Sequence, residues 1–349
     1  MRYQLLGPSG LRVSEICLGT MTFGEEWGWG SSKEVSRGIY DRFRELGGNF
    51  VDTANLYTNG ASELFLGEFM QGHRDQVVLA TKYTNAVPGK DPNAAGNHRK
   101  SMMTAVEASL RRLRTDYIDL YWMHIWDRLT PAEEVMRGFD DLVRQGKVLY
   151  VGVSDAAAWW IAKANTLAAL RGWSPFVALQ IEYSLLERTP ERELLPMAAD
   201  FRLSVTAWSP LAGGLLSGKY RVTEQAIQSE DGKSRMDIPD NQQFAQNRER
   251  TNRVIDVLRA VAKPTGHSPA QIALAWLRHR KLPVIPIVGA RRLDQLEANV
   301  AIVDLKLSAE EIRALDEASQ IDLGFPHDFL DKPMVKTFTF GGMRDLIDA

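Results

Sequence analysis

Cysteine is almost missing. The 349 residues hold one, Cys17, so an internal disulfide, a Cys-rich zinc site and a Cys-X-X-Cys redox pair are all excluded. A reduced, cytoplasmic setting fits that usage. No apolar run reaches the roughly 18 residues that a membrane-spanning helix needs. The opening MRYQLLGPSGLRVSE lacks the apolar core of a secretory signal and reads as mature protein. Excess charge is missing too: 42 Lys and Arg against 44 Asp and Glu leave a net charge of −2. Nucleic acid and anionic membranes both want a basic face, so neither is expected as the main partner. His73, His98, His267, His279 and His327 show no metal-ligand spacing, and no metal is expected. With 44% apolar and 25% charged residues the chain has the composition of a soluble globule with a sizeable core.

What is present is an alternation. Short apolar runs begin near Ile16, Phe50, Val77, Ile118, Val148, Val177, Leu203 and Val284, each brief enough for a buried strand. Ahead of them, Tyr3–Leu6 and Leu11–Val13 flank Gly7-Pro8-Ser9-Gly10, which predicts a hairpin. Amphipathic stretches separate the runs. In 99–113, Met103, Val106, Leu110 and Leu113 recur at helical spacing. The next helix is predicted to open with Thr130 as N-cap, Pro131 at N1 and Glu133 completing a capping box, and to bury Val135, Phe139, Leu142 and Val143. Glu63 is expected at a helix start, where its carboxylate complements the dipole.

Strands alternating with helices mean a parallel sheet, open or closed. Eight repeats at this length, and no G-x-G-x-x-G after the first strand, favour a (β/α)8 TIM barrel over a doubly wound sheet. The expected layout is one α/β domain over 1–349: a hairpin in 1–15, a barrel in 16–319 and a C-terminal tail in 320–349. A long loop is expected across 212–250, after strand 7, around the polar stretch SEDGKSRMDIPDNQQ. The tail carries Phe325, Phe329, Phe338 and Phe340 and is expected to pack back on the barrel.

Barrel enzymes place their chemistry at the C-terminal ends of strands. The polar residues there are Asp52, with Tyr57 five positions on, then Lys82, His124, Ser154 with Asp155, Gln180, and Trp208 with Ser209. Taken singly, Lys82 could reach solvent, Tyr57 could be a packing residue, and His124 could be a satisfied core histidine. Together they make sense. Asp52 and Lys82 on adjacent strands would face each other across about 5 Å, and a buried lysine needs such a partner. An ammonium near Tyr57 is expected to pull its hydroxyl below its usual pKa of about 10. With a histidine to bond a carbonyl oxygen, the set suits carbonyl reduction by a hydride cofactor.

These segments resemble the aldo-keto reductases, specifically a branch like the potassium-channel β subunits. The resemblance runs from residue 2 to about 317. It rests on LGPSGLRVSEICLGTMTFG, GNFVDTANLYTNGASELFLGEFM, VVLATK, LYWMHIWD, GKVLYVGVSD, TAWSPLAGGLLSGKY and VIPIVGARRLDQLEANV. It implies an NADPH-dependent oxidoreductase whose tetrad is Asp52, Tyr57, Lys82 and His124. Tyr57 would be the proton donor, tuned by Lys82 and Asp52, and His124 would orient the carbonyl. It implies that Ser154, Asp155 and Gln180 bind the nicotinamide carboxamide and that Trp208 stacks on the ring. Ser209, Leu211, Gly213 and Leu215 would wrap the pyrophosphate through backbone N–H groups. Thr20, Met21 and Lys219 join the cofactor residues, and Gly289, Arg291, Gln295 and Asn299 would hold the adenosine 2′-phosphate end. Many relatives have Asn where this chain has Asp155, and a carboxylate accepts but cannot donate. Asp155 could equally cap the helix that follows.

Gly213 to Lys219 comes close to a P-loop, but Tyr220 stands where Ser or Thr would hold Mg²⁺. Trp27, Trp29, Tyr83 and Trp126 are candidate pocket walls, with Phe329 or Phe338 from the tail; aromatic walls suit a ring-shaped or sugar carbonyl. A small-molecule carbonyl is the expected partner. The alternative reading is an NADPH-sensing regulatory subunit with little turnover.

Overall fold

The computed structural model describes residues 1–223, 227–229 and 247–347. The predicted hairpin is strands β1 (Tyr3–Leu5) and β2 (Arg12–Ser14), paired antiparallel. Six strands follow in chain order: β3 (Cys17–Gly19), β4 (Phe50–Asp52), β5 (Val78–Tyr83), β6 (Ile118–Met123), β7 (Val148–Ser154) and β8 (Phe176–Glu182). Then come β9 (Ser204–Trp208), a small antiparallel pair β10 (Tyr220–Val222) and β11 (Ile227–Ser229), and β12 (Val284–Val288). Strands β3 to β9 and β12 close into an eight-stranded parallel barrel, β12 lying between β9 and β3. All eight apolar runs became its staves. The structure is thus a (β/α)8 TIM barrel with an N-terminal hairpin.

The helices are α1 (Lys33–Glu45), α2 (Ala61–Phe69), α3 (Arg99–Leu113), α4 (Ala132–Arg144), α5 (Ala158–Arg171) and α6 (Leu194–Asp200). They continue with α7 (Arg248–Thr265), α8 (Pro269–Arg278), α9 (Leu293–Val300), α10 (Ala309–Ser319), α11 (His327–Leu330) and α12 (Pro333–Thr339). Short α/β connections force each crossover to lay its helix back on the sheet, so both faces of the strands are buried. This explains why Ile118–Met123 is buried throughout without polar alternation.

The strand period of two then decides what enters the barrel. On β5, Val78, Ala80 and Lys82 point in, and Leu79, Thr81 and Tyr83 point out. On β6, Leu120 and Trp122 share the inner core with Val78, Ala80 and Phe50. The hairpin plugs the N-terminal mouth with Leu6 and Val13. Gly7 makes that plug possible: its φ is +58°, and a Cβ there would lie 2.0 Å from the Val177 carbonyl oxygen. Gly152 makes room for Trp122, its register partner on β6; a Cβ would fall 2.3 Å from the indole. Gly152→Ala should therefore destabilise the fold by about 1–3 kcal/mol through overpacking, read as a lower denaturant midpoint.

Three expectations change. The α4 capping box does not form: Pro131 occupies the N-cap without a side-chain bond. Asp127 takes the Thr130 backbone N–H at 2.9 Å and its hydroxyl at 2.7 Å, and so draws Thr130 into an Asx turn upstream. Glu63 does sit in the first turn of α2, but it is fully buried. It accepts from Thr81 at 2.6 Å and is paired with Arg112, which goes beyond a dipole effect. The tail does not pack back along the barrel. Its start is held, with Arg192 donating to the Asp322 carbonyl and His327 beside Glu193. Beyond that, Phe325, Phe338, Met334 and Leu346 are exposed, because α11 and α12 satisfy their backbone internally without a barrel surface. The polar stretch of the 212–250 loop lies almost wholly outside the described residues.

Candidate active site

Four strand ends converge at the C-terminal mouth of the barrel. Asp52 ends β4 and Lys82 points inward from the neighbouring β5, so the two meet inside the wall. The Lys82 ammonium is fully buried and donates to the Asp52 carboxylate, to the Thr53 carbonyl at 2.7 Å and to the Tyr57 hydroxyl at 3.0 Å. Asp52 uses its other oxygen to accept from the Gln180 amide at 3.1 Å. All the donors of a buried cation are thus matched, which is the condition for tolerating it.

Tyr57 is delivered by a distorted turn. Thr58 and Asn59 follow it at φ +46° and +55°, and Gly60 at +96°. A β-branched residue in that region is strained. Thr58 is locked there by its hydroxyl, which donates to the Phe23 carbonyl at 2.6 Å. Beside Tyr57, the His124 ring stands edge-on at 6.0 Å, and Trp27 edge-on at 6.5 Å. Trp27 pairs with Trp29 at 5.8 Å and donates to the Asn59 side chain at 3.3 Å.

The electrostatics differ from the expectation in one respect. Burial pushes the Tyr57 hydroxyl up; the Lys82 ammonium lowers it, but the Asp52 charge behind that ammonium raises it again, and the net direction is upward. The expected fall below 10 does not occur because a desolvated, charge-balanced pair cannot offset burial. Burial also opposes the charge on Lys82, but Asp52 and Tyr57 outweigh it and hold the ammonium protonated. His124 is pushed down to about 3, by burial first and then by Lys82, so its imidazole is neutral at ordinary pH.

The residues expected at the cofactor lie around the same mouth. Ser154 and Gln180 sit side by side on β7 and β8. Ser154 is buried, and its hydroxyl has no hydrogen-bond partner of ordinary geometry. Asp155 does not cap α5, whose N-cap is Ala157. Held at φ +38°, it instead accepts from the Trp208 indole N–H at 3.0 Å. Its low-dielectric surroundings push the carboxyl up to about 6. A folded-state value above the ordinary one means stability present at acid pH and lost as pH rises through about 6. Asp155→Asn, which keeps the acceptor for Trp208, should therefore gain stability over the wild type as pH is raised from about 4 to about 7, measured by denaturation at each pH.

Thr20 is buried, donating to the Asp52 carbonyl at 3.0 Å, with the half-buried Met21 after it. After β9, Ser209, at φ +49°, turns the chain; its hydroxyl accepts from the Gly213 N–H at 3.1 Å. The Gly214 N–H goes to the Leu211 carbonyl at 2.9 Å, so these two amides close the turn on itself. Leu215 is fully buried and Lys219 exposed. After β12, Gln295 accepts from the Arg291 backbone N–H at 3.0 Å, and Asn299 donates to the Gly289 carbonyl at 3.5 Å. Arg291 lines a groove with Val35, Gly38, Arg292 and Leu293.

One expected pocket wall belongs elsewhere. Tyr83 is fully buried outside the barrel, stacked on Tyr121 at 5.5 Å and edge-on to Phe139. The reason is the period of two: its neighbour Lys82 points in, so Tyr83 points out. Trp126 packs on Trp159 and Trp160 of α5, at 5.5 and 5.8 Å. Phe329 and Phe338 remain exposed on the tail. The sequence reading missed Asn85, whose amide lies 3.2 Å from His124 Nδ1, and Asn59, the anchor of Trp27.

Among known proteins, the norsolorinic acid reductase of Emericella nidulans is 41% identical over 340 residues, covering 94% of this chain and 84% of the relative. An aryl-alcohol dehydrogenase [NADP(+)] of Phanerodontia chrysosporium is 38% identical, covering 93% and 88%. A putative aryl-alcohol dehydrogenase of Saccharomyces cerevisiae is 36% identical, covering 94% and 89%. Residues 15–320 match the Aldo/keto reductase family. With the closed barrel and its convergent strand ends, this match makes the chain an oxidoreductase of the aldo/keto reductase family, acting between carbonyl and alcohol groups.

Proposed function

We propose that the protein reduces aromatic aldehydes or ketones to alcohols, reversibly, with NADPH as hydride donor and Tyr57 as proton donor. One observation carries the reading: a buried ammonium bonded at once to Asp52 and to the Tyr57 hydroxyl, with a neutral imidazole across from that ring. The donor set fits the cofactor at both ends. The buried Ser154 hydroxyl, with Asp155 and Gln180 nearby, suits the nicotinamide carboxamide. Arg291 is exposed and, among the described residues, in no ion pair, whereas Arg292 is taken by Asp294. A guanidinium there suits a phosphate dianion, which favours NADPH over NADH. Trp208, fixed by Asp155, would flank the nicotinamide; the turn after β9 would hold the pyrophosphate. Bound there, NADPH supplies the hydride.

The chain's own residues handle the proton. His124, neutral, donates a hydrogen bond to the carbonyl oxygen and polarises it. Tyr57 gives its proton to that oxygen as charge develops, and the phenolate left behind is stabilised by Lys82 at 3.0 Å. The raised Tyr57 pKa keeps the hydroxyl protonated through neutral pH, the form that reduction needs. Alcohol oxidation needs the phenolate, so its rate should climb with pH while the reduction rate stays level. The Trp27 and Trp29 rings beside Tyr57 support an aromatic substrate by stacking. The names of two relatives agree: both are aryl-alcohol dehydrogenases.

The test is NADPH consumption across aromatic aldehydes, cyclic ketones and sugar carbonyls, with NADH alongside. Turnover of aromatic carbonyls, faster with NADPH, supports the reading. Tight NADPH binding with no turnover across the whole panel overturns it.

A further inference from the structure

We propose that Asn85 is a positioning residue for this reaction: its side-chain amide fixes His124 in the tautomer whose proton is on Nε2. The inference rests on the role given to His124 above. Asn85 Nδ2 lies 3.2 Å from His124 Nδ1. An amide NH2 has donors and no acceptor, so Nδ1 must offer its lone pair. A neutral imidazole has one proton, and Nδ1 cannot carry it. That leaves Nε2–H as the donor available to a carbonyl oxygen.

The surroundings hold that amide in place. Thr84, directly before Asn85, has φ +99°, an outlier for a β-branched residue. Such strain persists only where neighbouring contacts over-determine it, and here they do. The Thr84 carbonyl accepts from the Gly96 N–H at 2.8 Å, and its hydroxyl accepts from the Asn97 amide at 2.9 Å. Asn97, fully buried, exchanges bonds with Asp127 at 2.8 and 2.7 Å and donates to the Ile125 carbonyl at 2.9 Å. Ile125 and Asp127 lie one and three residues after His124. One bracket thus ties the loop that carries Asn85 to the loop that carries His124. The Asn85 carbonyl is pinned in turn by the Asn55 amide at 2.8 Å, and the Asn55 N–H donates to the Lys82 carbonyl at 3.2 Å. The strained turn sets the side-chain amide against the ring.

The test reads the ring directly. With six histidines in the chain, imidazole ¹⁵N spectra of the whole protein can be assigned by difference against His124→Gln. The expected result is a pyridine-type Nδ1 and a pyrrole-type Nε2 at His124. Asn85→Asp supplies an acceptor in place of the donor, so the pattern should reverse, with the proton on Nδ1. The kcat should fall at least about 100-fold, as when a catalytic histidine is held in the wrong tautomer, with NADPH affinity kept. Asn85→Ala should lower kcat by about 10- to 100-fold. A protonated Nδ1 in the wild type overturns the proposal, and so does an Asn85→Asp protein with unchanged spectrum and kcat. The wild-type spectrum needs no variant at position 85 and no turnover. Its result therefore stands apart from the reaction reading, which falls separately if Tyr57 proves dispensable.

Discussion

Lys82→Met is expected to destabilise the folded protein by about 3–5 kcal/mol and to abolish turnover, two losses with one origin. Among the described residues the ammonium is the only cation on the buried Asp52, and Gln180 alone cannot compensate a carboxylate. Removing one partner of a buried pair leaves a desolvated charge. In the wild type, Lys82 is held above its ordinary value. Its contribution to stability is therefore present across neutral pH and lost only when strong alkali deprotonates it. Adding Asp52→Asn should recover much of the stability, since Asn can still accept from Gln180. It should recover no activity, because the Tyr57 phenolate has lost its counter-charge. Denaturation midpoints and kcat for the three proteins check both halves. A Lys82→Met protein as stable as the wild type would show that the pair is not buried as described.

Tyr57→Phe is expected to lose about 10²- to 10⁴-fold in kcat, the usual range for a general acid. It should leave the site standing. The ring stays, and with it the edge contacts to Trp27 and His124. Lys82 keeps two of its three partners, Asp52 and the Thr53 carbonyl. No residue expected at the cofactor is bonded to the hydroxyl; Lys82 is its one hydrogen-bond partner among the described residues. Folding and NADPH affinity should therefore change little while chemistry fails.

The barrel was legible because its signal is local and repeated. Each stave is a short apolar run between helical periods, and the register of the eight runs needs no distant information. The tetrad was legible for a related reason: strand ends are places that the pattern itself locates. Tyr83 was misplaced although the same pattern contained the answer, since Lys82 pointing inward forces it out. The Tyr57 pKa was misjudged because sequence reveals the ammonium nearby but not the loss of water around the hydroxyl. The α4 cap failed because Asp127, three residues before Thr130, claims it and is itself held by the distant Asn97. Asn85 carried no signal in spacing or composition. Its role arises only when two loops after different strands are bolted together around a strained threonine.

The claim at the centre is that Tyr57, poised by Lys82 and Asp52, supplies the proton. Single-turnover NADPH oxidation with an aromatic aldehyde, wild type against Tyr57→Phe, tests it most directly, with NADPH affinity measured on the same samples by fluorescence titration. The account predicts a rate lower by about three orders of magnitude at matched affinity. A Tyr57→Phe enzyme that keeps most of the wild-type rate would contradict it.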